Sequence, residues 1–469
     1  MQSVEKNLKE DFGIKEKSKE KDEVGMDSDS EENMEGNEEI YWNKDFMEVK
    51  SATVKSLGTF AKFCPKKYIE KYYDYTLNQL EYFSSFCNED IFFEVSDVYS
   101  DLMRAIKKSE NNSKNLNTFW VEEVFTHYES FVNETDNQEL VSHIFSNIYN
   151  IVKEFGKNIF INEKENKLNS TLDRIIELTM KLLKNELPCQ IKNKDAEEDE
   201  IEHEEDIFSA ITDICSCLSE KLGDDFHNYF TIIFPQLSSY LKLNHDEADR
   251  QSSFGVIAEV LKYTKISVKF YVKQLFNDIQ KNLSQKSSKK NEELLRHIAY
   301  LIGVLFMSDA DASKEFINQA LNDLQLIFEK TRKDGKDNVI AALCRIIMAM
   351  KYNKNNFNLF DKSLETIMTN LPLKYDNEEN LTVLDFLVYV SDMMDLNQYQ
   401  KYMENIMKVL HCIVIFDSKC ETKPEHIKKI KDYINKMNSN EIIKSLIESI
   451  VQKDFTPAEK EKFIKALNN

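Results

Sequence analysis

Nine of the twelve residues from Asp195 to Asp206 are carboxylates, and none is a Lys or an Arg. The acids are Asp195, Glu197, Glu198, Asp199, Glu200, Glu202, Glu204, Glu205 and Asp206. Carboxylates at this density concentrate Lys- and Arg-rich ligands around them, and the attraction weakens as salt rises. Like charges repel along the segment, so 192–206 reads as an extended, mobile acidic loop. His203 sits among these acids, and a solvated loop is a better reading of it than a metal site.

A second set of carboxylates recurs just before or within the starts of helical segments. It comprises Asp246, Asp249, Glu292, Glu293, Glu378 and Glu379. Paired acids can do general acid–base work, but acids that recur at every break are what helix N-termini call for. The same six are candidates for contacting a basic partner. No phosphate-cradling glycine loop, GxGxxG, HExxH or GxSxG occurs in the chain. We therefore assign no catalytic residue, no metal ligand and no cofactor, and do not expect an enzyme.

The charge balance agrees with a search for basic partners. The 469 residues carry a formal charge of −21. Nucleic acids and anionic membrane surfaces attract basic proteins, so direct nucleic-acid binding is excluded. No run approaches about 18 uncharged apolar residues, so no membrane insertion is expected. The N-terminus mixes Lys and Glu without an apolar core and does not read as a signal peptide. Of the eight Cys, most lie in apolar segments (Cys64, Cys87, Cys344, Cys412) and none forms a CxxC pair. Buried reduced thiols in a cytosolic or nuclear protein are the reading.

These residues need a frame, and the composition says which kind. Only 9 Gly and 6 Pro occur, too few turn residues for an all-β or α/β chain of this length. Pro65, Pro188, Pro372, Pro424 and Pro457 stand at the edges of apolar-periodic segments, while Pro235 lies inside one. Residues 1–40 are charged and read as a disordered acidic tail. From residue 41 to 469 the periodicity is helical.

Four segments align without gaps: Val54-Lys-Ser-Leu-Gly-Thr-Phe-Ala61, Gln251-Ser-Ser-Phe-Gly-Val-Ile-Ala258, Ala299-Tyr-Leu-Ile-Gly-Val-Leu-Phe306 and Ile340-Ala-Ala-Leu-Cys-Arg-Ile-Ile347. Gly in a helix costs ~1 kcal/mol relative to Ala. Its recurrence at Gly58, Gly255 and Gly303 predicts a neighbouring helix that approaches closely. Between these helices lie others, such as 229–241 and 316–328. The two kinds alternate at the spacing of about 40–47 residues typical of HEAT and armadillo repeats. The predicted fold is all-α: a HEAT-repeat α-solenoid, a superhelix of antiparallel helix pairs. About eight pairs are expected, with an unpaired helix over 44–63 before them and helices over 439–453 and 457–467 after them. The acidic loop falls inside the turn of the pair 168–184 and 206–222.

Read together, these features resemble the importin-β (karyopherin-β) superfamily, and most closely the C-terminal half of its importin-5 and importin-4 branch. The likeness is carried by Met34-Glu-Gly36, the insert 195–206, Lys333-Asp-Gly-Lys-Asp-Asn-Val-Ile-Ala-Ala342, Leu371-Pro-Leu-Lys-Tyr-Asp-Asn-Glu-Glu379 and the ending 455–467. The resemblance implies a nuclear transport receptor moving between cytoplasm and nucleus. It implies basic cargo, such as ribosomal proteins or histones, on a concave face made by the second helices. It also implies Phe-Gly nucleoporins on the convex side. Family members are about twice as long, and the N-terminal repeats that hold most of their Ran contact have no counterpart here. The resemblance therefore does not carry Ran GTPase over as a firm partner. The residues alone leave a second class open, a HEAT-repeat structural scaffold without transport activity.

Overall fold

The computed structural model describes residues 44–84, 89–109, 115–162, 167–168, 170–191, 198–264, 268–284, 292–332, 334–351, 361–416, 419–420 and 422–468. The expected tail over 1–40, with Met34, Trp42, Cys87, Asp195, Glu197 and Lys333, lies outside these residues. The fold is an all-α HEAT-repeat solenoid. The chain forms two compact units, one of residues 1–173 with 187–195 and one of 174–186 with 196–469.

The first unit contains α1 (Lys44–Phe63), α2 (Pro65–Ser84), α3 (Glu89–Ser109), α4 (Leu116–Phe119), a π turn (Trp120–Val124), α5 (Phe125–Glu134) and α6 (Gln138–Phe155). A short antiparallel pairing of β1 (Ile161–Asn162) with β2 (Lys167–Leu168) follows. The first turn of α7 (Ser170–Leu183) and the short α8 (Pro188–Ile191) complete the unit. Two local signals start these helices. Pro65 and Pro188 open α2 and α8, where a missing N–H costs nothing. The side chains of Asn115 and Asn137 accept backbone N–H bonds at the heads of α4 and α6. Trp120, Phe125, Tyr128 and Phe145 are fully buried, so Trp120 belongs to the core.

The second unit contains the rest of α7 and α9 (Glu198–Leu222), α10 (His227–Tyr240), α11 (Glu247–Tyr263), α12 (Val272–Leu283), α13 (Glu292–Ser308), α14 (Ala310–Ser313), α15 (Ile317–Lys330) and α16 (Asp334–Ala349). It continues through α17 (Asp361–Thr369), α18 (Asn380–Val390), α19 (Leu396–Ile415), α20 (Pro424–Met437), α21 (Glu441–Asp454) and α22 (Pro457–Asn468). Pro235 lies inside α10, as its position within an apolar run predicted. The helices α9, α11, α13, α16, α18 and α20 pack in that order, each on the next. Of these, α11, α13 and α16 carry the small-residue segments, and all six line one groove and are the inner layer in that sense.

The small residues are where they are needed. A Cβ on Gly303 would lie 2.8 Å from the Ala342 Cα of α16, and one on Gly255 would lie 2.8 Å from His297 Nδ1 of α13. Backbone cannot yield as a side-chain tip can. Gly303→Ala should therefore destabilise the protein by about 1–3 kcal/mol, although Ala is the better helix former by ~1 kcal/mol. Urea unfolding checks this; a neutral or stabilising Gly303→Ala would refute the close-approach account.

Two expectations need correcting. Residues 198–206 are the first turns of α9, where an extended loop was expected. Glu is a good helix former, and acids at a helix N-terminus interact favourably with the helix dipole, which offsets part of their mutual repulsion. Cys64 is exposed in the turn between α1 and α2, whereas Cys189, Cys215, Cys217, Cys344, Cys412 and Cys420 are buried reduced thiols. Burial pushes the Cys215 thiol up to about 12.

Candidate functional site: the inner groove of the second unit

The inner helices run parallel to one another. Gly255 lies against His297 and Tyr300 bonds to Glu259, so contacts advance along α11 and α13 together. Asn338 bonds to Asp376 and, further on, Arg345 bonds to Glu379 and Thr382, so α16 and the chain entering α18 run likewise. Parallel inner helices place their N-termini along one edge. That edge collects the carboxylates found in the sequence: 198–206 on α9, Asp246 and Asp249 on α11, Glu292 and Glu293 on α13, and Glu378 with Glu379 before α18.

The inner layer encloses an open groove of about 730 Å³. Its walls include Ser209, Thr212 and Asp213 of α9, Glu259 and Lys262 of α11, and Arg296, His297 and Tyr300 of α13. They continue through Asn338 and Arg345 of α16, Thr382 and Asp385 of α18, and His426 of α20.

At the centre is a buried ion pair. Arg345 is 8% exposed and Glu379 7%. Arg345 Nη2 donates to both Glu379 carboxylate oxygens at 2.7 Å and to Thr382 Oγ1 at 3.1 Å. The guanidinium lies 4.8 Å from the centre of the Tyr300 ring, a cation–π contact. The Tyr300 hydroxyl donates to Glu259, and Glu259 lies 3.6 Å from Lys262 Nζ. Burial opposes the Lys262 charge, and Glu259 together with Tyr263 outweighs it, holding that ammonium above its ordinary pKa. One connected polar chain thus runs across α11, α13, α16 and the start of α18.

A second branch lies beside it. Asn338 Nδ2 donates to Asp376 Oδ2 at 2.9 Å, and Arg296 Nε stands 4.0 Å from the same oxygen. Burial pushes the Asp376 carboxyl up, and the Glu379 charge adds to the effect. His297 packs between α11 and α13; burial, with Arg296 beside it, pulls its pKa down to about 4. The ring is neutral at physiological pH.

The predicted site residues divide by place. Asp246 is exposed at the head of α11, and its side chain makes no capping bond, contrary to the capping role expected of it. Asp249 lies in the first turn of the same helix. Glu292 accepts the Arg332 N–H at 2.8 Å, and Glu293 lies 3.2 Å from Arg296. Glu378 is exposed on the groove wall. Glu379 is turned inward and engaged by Arg345, so it presents no free carboxylate. Glu198, Asp199, Glu200, Glu202, Glu204, Glu205 and Asp206 occupy helical positions of α9, continuous with its groove-lining Ser209, Thr212 and Asp213.

Arg345, Tyr300, His297 and Glu259 were not predicted. A signal existed: Tyr300 and Arg345 are polar residues inside two of the aligned apolar segments, and Glu259 and His297 flank two of them. Among the described residues no group of three His, Cys, Asp or Glu could hold a metal ion, and no helix is long and apolar enough to cross a membrane.

Solved structures of the karyopherin Kap121p share the fold. The chain bound to RanGTP matches with a TM-score of 0.66 at 14% identity, over 90% of this chain and 37% of that one. The one bound to the SUMO protease Ulp1p matches with a TM-score of 0.67 at 13% identity, over 90% and 38%. The one bound to Nup53p matches with a TM-score of 0.67 at 14% identity, over 90% and 37%. The chain therefore spans less than two fifths of the length of these solved chains. No family model matches the sequence, and no curated protein matches it.

Proposed function

We propose that the chain is a binding module of the nuclear transport receptor kind, resembling the importin-5 and importin-4 branch, which takes basic cargo such as ribosomal proteins or histones. One observation carries the reading: the densest run of carboxylates, 198–206, is continuous with a groove-lining helix. A Lys-rich segment drawn to α9 is thereby delivered to the edge where Asp246, Asp249, Glu292, Glu293 and Glu378 also stand. The likeness of fold to Kap121p supports the transport assignment, since that protein is solved with RanGTP and with Nup53p. Phe-Gly nucleoporins are the matching partners for the outer layer. There a slot between α15 and α17 is lined by Leu321, Leu324, Phe328, Val339, Leu343 and Thr366. Ran GTPase is the least supported partner, because the matched portion is a minor part of the solved chains. Such a module works in both cytoplasm and nucleus, at the pore.

The test is retention of a purified histone or basic ribosomal protein by the full chain at low and high salt. Binding should be present at low salt and weaken at least about tenfold at high salt, since screening shortens the reach of exposed charges. Changing the acids of 198–206 to Asn and Gln should weaken it similarly at low salt. Absence of binding at low salt would sink the proposal. One observation favours the scaffold reading instead: several groove carboxylates are already neutralised internally, as in Arg345–Glu379, Lys262–Glu259 and Lys429–Asp385. Salt-insensitive binding of a folded, non-basic partner would decide for it.

A further inference from the structure

Two thiols of the second unit sit side by side. Cys412 is on the last turn of α19, and Cys420 follows 8 residues later. The chain turns back there. The Cys420 N–H bonds to the Phe416 carbonyl at 3.0 Å, and Thr422 Oγ1 donates to the Ile413 carbonyl at 2.9 Å. This brings Cys420 Sγ to 3.9 Å from the Cys412 carbonyl oxygen, and its thiol into hydrogen-bond contact with the Cys412 thiol. Both are reduced.

The two sulfurs differ as an attacking and a resolving thiol must. Cys412 is 8% exposed and Cys420 0%. Burial pushes the thiols of Cys215 and Cys344 up. The Cys412 thiol goes the other way. The hydrogen bond from Cys420 outweighs burial, the Lys419 charge adds to it, and the thiol is held below its ordinary pKa. Lys419 has its ammonium 5.7 Å from the centre of the Phe416 ring, at the end of the same helix. The thiolate is the form that peroxides oxidise.

Cys412 also touches the groove wall from behind. Its Sγ donates to Asn377 Oδ1 at 3.6 Å and accepts from Asn380 Nδ2 at 3.8 Å. Asn377 lies in the chain entering α18, between Asp376 and Glu378 of the groove wall. Asp337 Oδ2 holds that chain through the N–H groups of Lys374, Tyr375 and Asp376. Cys420 leads towards Lys423 and His426, groove-wall residues at the head of α20. We propose that Cys412 and Cys420 are a peroxide-oxidisable dithiol, and that the disulfide they form moves an anchor from the head of α18 to the head of α20. The Cys412 thiolate attacks one oxygen of hydrogen peroxide and the O–O bond breaks. Hydroxide leaves, takes up a proton as water, and Cys412 becomes a sulfenic acid. The Cys420 thiol, giving up its proton, attacks that sulfur; the S–O bond breaks and a second water leaves. The dithiol is oxidised by two electrons and the peroxide is reduced to water. A disulfide sulfur has no hydrogen to donate, so Asn377 loses its bond to Cys412.

The experiment treats the full chain with hydrogen peroxide and digests it with trypsin. Trypsin cuts after Lys419, between the two cysteines, so their disulfide joins two peptides that are otherwise separate. The joined pair should appear in the parent chain and vanish on reduction. In Cys420→Ala no resolving thiol remains, and dimedone should trap the sulfenic acid on Cys412. Amide hydrogen exchange over 373–377 should be at least about threefold faster in the oxidised parent than in the reduced one. Cys412→Ala lacks the same bond to Asn377, so it should exchange at the faster rate with or without peroxide. The joined peptide and the exchange of the parent chain decide the matter even if a variant does not fold. The proposal is overturned if peroxide does not join Cys412 to Cys420, or oxidises Cys412 no sooner than Cys344. It is also overturned if the disulfide forms and exchange over 373–377 is unchanged.

Discussion

Glu379→Ala should lower the stability of the second unit by about 3–5 kcal/mol, the largest single effect we expect. The reason is the charge left behind. Arg345 is 8% exposed and directs two bonds of 2.7 Å at Glu379. Without that carboxylate the guanidinium keeps only Thr382 and the face of Tyr300. Its Nη1 already has no hydrogen-bond partner, so nothing nearby takes up the loss. Replacing both members with apolar residues, Arg345→Met with Glu379→Leu, should recover most of the stability, since an intact buried pair is roughly neutral against hydrophobic packing. A urea-unfolding cycle of the two single variants and the double variant measures the coupling directly. Equal, additive losses would show that the pair is not acting as a unit.

The second large effect is on the pH dependence of stability. His297 has its pKa lowered from 6.5 to about 4 by burial, with Arg296 adding to the cause. In the unfolded chain this ring takes a proton below about 6.5, and in the folded chain only below about 4. Between those values the unfolded state binds more protons, so stability falls as pH falls. The contribution is complete above about 6.5, declines across the window, and is lost below about 4. At 1.36 kcal/mol per unit, the full change is about 3 kcal/mol. Thermal melts of the parent and His297→Gln from neutral pH down to about 4 should converge in acid, because the variant has no ring to protonate. Parallel curves would refute the assignment. Gly255 is why the ring packs so closely: His297 Nδ1 occupies the space a Cβ there would need.

The frame was legible because its signals are local. Scarce Gly and Pro, a 3.6-residue apolar rhythm and a recurring small residue depend only on neighbours in sequence. They located helices such as 89–108, observed as Glu89–Ser109, and 424–437, observed as Pro424–Met437. The small residues also forecast where helices would touch, which Gly303 and Ala342 bear out. The site was legible only in part. The acids of the inner-helix starts were found, but which carboxylates face outward was not. Glu378 and Glu379 are adjacent and look alike in sequence, yet one is exposed on the groove wall and the other pairs with Arg345, 34 residues earlier.

The sequence by itself determined the helical repeat, the surplus of acid and the places where helices approach closely. The tertiary structure decided which charges cancel and which remain, and made 198–206 part of a groove-lining helix. The physical reason is one of range. Periodicity and propensity act over a few residues, whereas the state of a charge or an apolar side chain depends on the neighbours that stacking helices bring from a whole repeat away.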